Sequence, residues 1–177
     1  KNHSHLFSSV LNKPVRQQIL FDVIADNLSQ KQTITANTHN PAKLLNHEFA
    51  LDHPLSILVA EDNLINQKLI QRILEKLGYT STLACNGKEV LTALADKQFD
   101  IILMDIQMPE MDGLEATRII RSEFIIQPFI VALTANAMEE DKETCIKSGM
   151  NDYLSKPIDV KILMDILRRT AALQKQT

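Results

Sequence analysis

The stretch DIILMDIQMPEMDG, residues 100–113, does most to limit how this chain can fold. Ile101, Ile102, Leu103 and Met104 run without a polar break into Asp105. An apolar run with no alternation suits a strand covered on both faces, as in a parallel sheet with helices on either side. Ligands of such sheets bind at the carboxyl ends of the strands, where Asp105 is expected to stand. A lone Asp in that place commonly does no more than end a strand or cap a turn. Its meaning depends on what else the chain brings to the same edge.

From residue 55 onward, strands and helices alternate. Residues 56–60 form an apolar strand ending in Glu61-Asp62. A helix is predicted over 64–77, with Leu69, Ile70, Ile73, Leu74 and Leu77 on one face and Gly78 as its stop. A second strand covers 79–84, and Asn86-Gly87 opens a short helix containing Val90, Leu91 and Leu94. The strand of residues 101–104 comes third. After Asp112-Gly113 a helix runs through Leu114, Ala116, Ile119 and Ile120. A fourth strand at 129–133 ends in Thr134. A helix at 139–148 stops at Gly149, a fifth strand at 152–155 ends in Lys156-Pro157, and the last helix covers 160–173 with Ile162, Leu163, Ile166 and Leu167 inward. Five strand–helix units with short connections predict an α/β fold, a doubly wound five-stranded parallel sheet with helices on both faces. Its expected order is 2-1-3-4-5, the flavodoxin-like arrangement, whose crevice opens between the first and third strands.

On that order Glu61, Asp62 and Asp105 converge, with Thr134 and Lys156 at the ends of the neighbouring strands. Three clustered carboxylates repel one another and raise each other's pKa unless a cation sits among them. All-oxygen ligation favours a hard cation, and a site that also leaves room for waters and a phosphate favours Mg²⁺. An ammonium and a hydroxyl, Lys156 and Thr134, are what phosphoryl oxygens need. An ionised Asp105 attacks phosphorus without a general base, and the product is an aspartyl phosphate. Pro157 biases Lys156 towards extended backbone, which would help aim the ammonium. Read singly, Glu61-Asp62 are solvated loop acids and Lys156 a surface lysine; it is their convergence on Asp105 that favours a site.

Residues 55–173 resemble the receiver domain of two-component response regulators. The matching segments are VAEDN at 59–63, LMDIQMPEMDG at 103–113, ALTA at 132–135 and DYLSKP at 152–157. The resemblance implies that Glu61 and Asp62 hold Mg²⁺, with Asp62, Asp105 and the backbone carbonyl of Gln107 as direct ligands. It implies that Asp105 accepts phosphate from a phosphohistidine, and that Thr134, the Ala135 amide and Lys156 hold the phosphoryl oxygens. Tyr153 matches the aromatic switch position, which turns inward as Thr134 moves; read without the resemblance it is a half-buried strand tyrosine. The implied partners are the phosphoacceptor histidine domain of a kinase, with a histidine phosphotransfer domain as a further candidate. An interaction module that keeps the site without phosphotransfer is the alternative. A phosphatase with an Asp nucleophile needs a second Asp two residues on, where Gln107 stands instead.

The N-terminal part offers a second comparison. VLNKPVRQQILFDVI at 10–24 aligns without gaps on YLSKPIDVKILMDIL at 153–167, sharing Lys-Pro before each helix. Residues 1–29 are therefore expected to be the last strand and helix of a preceding receiver-like domain, and 30–54 a linker with a short helix at 41–51. Residues 174–177 form a tail. Tandem receivers joined in this way resemble the C-terminal part of hybrid histidine kinases. The chain starts at Lys1 and reads as a piece of a longer protein.

The rest narrows the function classes. A net charge of −3 gives no argument for nucleic acid. No apolar run approaches the roughly 20 residues that span a bilayer, so no membrane contact is expected of this segment. Cys85 and Cys145 stand alone, which suits free thiols in a cytoplasm, though the parent chain could be membrane-anchored. The four glycines form neither a dinucleotide nor a P-loop fingerprint. All five histidines precede residue 54 with no zinc spacing, and are read as solvated linker residues.

Overall fold

The structure, a computed structural model, describes residues 47–135 and 139–174. The expected receiver remnant at 1–29, the linker up to residue 46 and the tail from residue 175 lie outside the described residues. The elements are α1 (Phe49–Asp52), β1 (Ile57–Ala60), α2 (Leu64–Lys76), β2 (Ser81–Ala84), α3 (Gly87–Asp96), β3 (Ile101–Asp105), α4 (Gly113–Glu123), β4 (Phe129–Thr134), α5 (Glu139–Ser148), β5 (Asp152–Ser155) and α6 (Val160–Gln174). The sheet has five strands in the order β2-β1-β3-β4-β5. Every described pairing is parallel, with Ala60 opposite Met104, Asp105 opposite Leu133 and Thr134 opposite Ser155. The carboxyl ends of β1, β3, β4 and β5 thus lie along one edge.

Strand alternation divides the core in two. Ile57, Val59, Ile101, Leu103, Val131 and Leu133 face one side, where they meet Ile70 and Leu74 of α2 and Leu163 and Leu167 of α6. Leu58, Ala60, Ile102, Met104, Ile130 and Ala132 face the other, with Val90 of α3 and Ala116 and Ile120 of α4. The unbroken apolar runs reflect this: both faces of each central strand are covered, so neither set of alternate residues can be polar. Each fully buried Leu or Ile contributes about 1.5–3 kcal/mol.

Local chemistry starts and stops the helices. Asn63 Oδ1 accepts from the Ile65 and Asn66 amides, Asn86 Oδ1 from Glu89, and Asp112 Oδ1 from Glu115. Gly78 ends α2 at φ +92°, and a Cβ there would overlap the His47 carbonyl.

Two sequence expectations need correction. Leu69 and Ile162 do not face inward; they are 49% and 47% exposed. Each lies one residue, about 100° of helical rotation, from a buried neighbour (Ile70 and Leu163), and the sheet covers only the narrower stripe. Residues 47–54, read as the end of the linker, hold a short helix that packs on the domain. Among the described residues the helix before β1 is Phe49–Asp52, while 41–46 of the expected 41–51 lie outside them. Phe49 is buried, the Ala50 amide donates to the Leu77 carbonyl, and the Tyr79 hydroxyl donates to the His53 carbonyl. His53 stacks on the Phe49 ring and the Arg168 guanidinium lies 5.7 Å above it. No helix among the described residues is long and apolar enough to cross a membrane.

Candidate functional site: an acidic cleft with one ammonium

The carboxyl edge of the sheet opens into a cleft of about 540 Å³. Glu61 follows β1, its amide donating to the Ala84 carbonyl at 3.0 Å. Asp105 is the last residue of β3 and is 7% exposed. Ligand oxygens of Glu61, Asp62 and Asp105 lie within 4.8 Å of one another, with Asp62 the exposed member. The loop after β3 folds back tightly: the Gly113 amide donates to the Ile106 carbonyl at 3.0 Å. A Cβ on Gly113 would overlap the Asp105 carbonyl, so only glycine allows α4 to start there.

Lys156 arrives from β5. Its amide donates to the Thr134 carbonyl at 2.7 Å, and the Lys156–Pro157 bond is cis. The ammonium Nζ donates to Asp105 Oδ2 at 2.6 Å and lies 2.7 Å from Glu61 Oε2. The second contact has the distance of an ion pair without the angles of a hydrogen bond, which leaves Glu61 Oε2 buried and without a hydrogen-bond partner. Glu61 Oε1 accepts from Asn66 Nδ2 at 2.8 Å and from the Asn63 amide at 3.3 Å. Asp105 Oδ1 accepts from the Gln107 amide at 3.3 Å.

Of the residues singled out in the sequence, Glu61, Asp62, Asp105, Gln107, Thr134, Ala135 and Lys156 all line this cleft. Thr134 is buried at the end of β4 and Ala135 is exposed beside it. Tyr153 is not among the lining residues. It is half-buried in β5 against the core under α3 and α4, with the Lys142 ammonium 4.7 Å from its ring centre. Sequence reasoning missed Asn66. The available signal was weak: a polar residue in the first turn of α2, three residues after the Asn63 cap, on the side that looks back to the end of β1.

The charges do not balance. Burial pushes the Asp105 carboxyl above its ordinary range, and the nearby Glu61 adds to this, against the pull of Lys156. For Lys156, burial pulls the ammonium down, but Asp105 and Glu61 together outweigh it and hold the group above its ordinary value. The two shifts have different causes: burial dominates at Asp105, whereas at Lys156 the two neighbouring carboxylates outweigh burial. Three carboxyl groups, only oxygen donors and a buried Glu61 oxygen lacking a hydrogen bond fit a hard divalent cation.

Residues 57–168 match the model of the response regulator receiver domain. Among curated proteins, hybrid signal transduction histidine kinase H of Dictyostelium discoideum is 47% identical over 122 residues, 66% of this chain and 9% of that protein. Histidine protein kinase 1 of Candida albicans is 38% identical over 168 residues, 89% of this chain and 6% of that protein. The chain thus spans less than a tenth of the length of either. Among solved structures, the receiver domain of a sensor histidine kinase from Pseudomonas aeruginosa, with magnesium coordinated in its active site cleft, is 42% identical. It has a TM-score of 0.61, with 67% of this chain and 98% of that one covered. The receiver domain of a Saccharomyces cerevisiae response regulator, crystallised with a histidine phosphotransfer protein, is 34% identical. Its TM-score is 0.63, with 68% of this chain and 90% of that one covered. A doubly wound sheet with this acid cleft at its edge, and a family match over most of its length, place the chain in the response regulator receiver domain family.

Proposed function

We propose that Asp105 is the phosphoacceptor of a Mg²⁺-dependent phosphorelay, and that the chain is the receiver of a hybrid histidine kinase. The observation that carries this reading is the Lys156 ammonium, 2.6 Å from Asp105 and 2.7 Å from Glu61, at the edge where β1, β3 and β5 end. Glu61, Asp62, Asp105 and the Gln107 carbonyl would hold the cation. Charge neutralisation of the phosphoryl oxygens is the chemistry that Mg²⁺ supplies when bound.

An Asp105 oxygen attacks the phosphorus of a phosphohistidine. The O–P bond forms as the P–N bond breaks, and the electron pair returns to the imidazole, which leaves as neutral histidine from a ring-protonated donor. Lys156 moves its donors to a phosphoryl oxygen, with the Thr134 hydroxyl and Ala135 amide serving the others. The movement of Thr134 and the ring of Tyr153 then biases the surface of α5, β5 and α6.

The phosphodonor is the histidine of a kinase, and a histidine phosphotransfer domain is a further partner; both rest on the company the relatives keep. Residues 1–29 are read as the end of a preceding receiver-like domain on the Lys-Pro shared before each helix of 10–24 and 153–167. Cys85 and Cys145, neither of them in a disulfide, suit a cytoplasmic setting. Incubation with Mg²⁺ and acetyl phosphate tests the reading by intact-mass spectrometry. One phosphoryl group is expected on the parent chain and none on Asp105→Asn. A parent chain that stays unmodified would instead favour an interaction module that keeps the site without using it.

A further inference from the structure

We propose that Asn66 is a positioning residue for the cation site, holding the buried Glu61 carboxylate in the orientation that serves the cleft. The inference rests on the cation reading above.

Glu61 is fully buried, so its orientation is set by the protein rather than by water. Its main chain is fixed: the amide donates to Ala84 and the carbonyl accepts from Gln67 Nε2 at 2.5 Å. The side chain still has freedom about its terminal bonds, and its two oxygens have different company. Oε1 accepts from the Asn66 side-chain amide at 2.8 Å and from the Asn63 main chain at 3.3 Å. Oε2 has only the ion-pair contact with Lys156. Among the described residues, Asn66 is the side chain that donates to Oε1, and its bond turns Oε2 towards Lys156 and Asp105. Without that donor, Oε1 keeps a single long main-chain bond. The carboxylate can then rotate to share both oxygens with Lys156, drawing the ammonium from Asp105 and moving a ligand oxygen off the cation. An acid at position 66 would set a fourth carboxylate against Glu61; an amide donates without adding charge. Groups that orient a ligating carboxylate commonly change metal affinity about 10- to 100-fold when removed.

The test uses the full chain. Mg²⁺ affinity is measured by isothermal titration for the parent, for Asn66→Leu, which keeps the shape but not the donor, and for Asn66→Ser, which keeps a shorter donor. Melting curves without metal first establish that each variant is folded. Phosphorylation by acetyl phosphate is then followed across Mg²⁺ concentrations. The expected result is a Kd for Mg²⁺ raised about tenfold or more in Asn66→Leu and less in Asn66→Ser. The Mg²⁺ concentration for half-maximal phosphorylation should rise in step with that Kd. Affinities within about twofold of the parent would overturn the assignment alone, as would loss of the fold in both variants, which would make Asn66 a structural residue. A parent chain that takes up no Mg²⁺ would overturn the cation reading and this assignment with it.

Discussion

Asp105 is where readiness for chemistry and stability of the fold oppose each other. Burial keeps its carboxyl above the ordinary value of 3.8, so the folded chain holds that proton more tightly than the unfolded chain does. The contribution favours the fold below pH 3.8 and is lost as pH rises through the raised value; at neutral pH the ionised group weighs against folding. Without Mg²⁺, Asp105→Asn should therefore melt a few degrees above the parent at pH 7, with the difference shrinking at pH 4. Calorimetry at the two pH values checks this, and a lower midpoint at pH 7 contradicts it. Lys156 has the opposite effect at neutral pH: raised above 10.5, its ammonium contributes fully there and is lost only in strong alkali. The residues of the cleft were legible in the sequence because each stands at or just beyond the end of a strand, where chain order alone fixes position. Asn66 was not, because its role depends on which way a helix turns over the end of a neighbouring strand.

At the scale of elements, the short helix α1 deserves separate treatment from the linker that precedes it. Phe49 fills a site between α2 and α6, edge-on to Tyr79 with ring centres 6.3 Å apart. Phe49→Ala should cost about 3 kcal/mol in urea unfolding, the usual range for a buried aromatic. The Tyr79 phenol, pushed up to about 12 by burial, stays protonated in the fold well past its ordinary 10.0. The stability it contributes is complete below pH 10 and lost as pH climbs towards 12. Tyr79→Phe should lose about 1 kcal/mol at pH 7 with the hydrogen bond to His53, and should show a flatter decline between pH 10 and 12. A decline as steep as the parent's would mean that another group drives it. None of this was readable beforehand. The polar, aperiodic residues 30–54 resemble a spacer, and Phe49 gains a partner only once α2 and α6 are side by side. The same limit explains Leu69 and Ile162: an apolar residue on a helix flank matches the periodicity whether or not the sheet reaches it.

For the whole molecule, the strand order and both core layers were legible, because uninterrupted apolar runs separated by helical spacing have few other ways to pack. That order brings four strand ends to one edge and gathers three acids and one ammonium there. The account stands on this imbalance making Asp105, and no other residue, the carrier of phosphorus. Borohydride reduction of the acetyl phosphate-treated chain, followed by peptide mapping, locates an acyl phosphate as the corresponding reduced alcohol. The expected result is conversion of Asp105 alone, dependent on Mg²⁺ and much reduced in Lys156→Met. Conversion at Asp62 or Glu61, or full conversion of Asp105 without Mg²⁺ or without Lys156, would contradict the account.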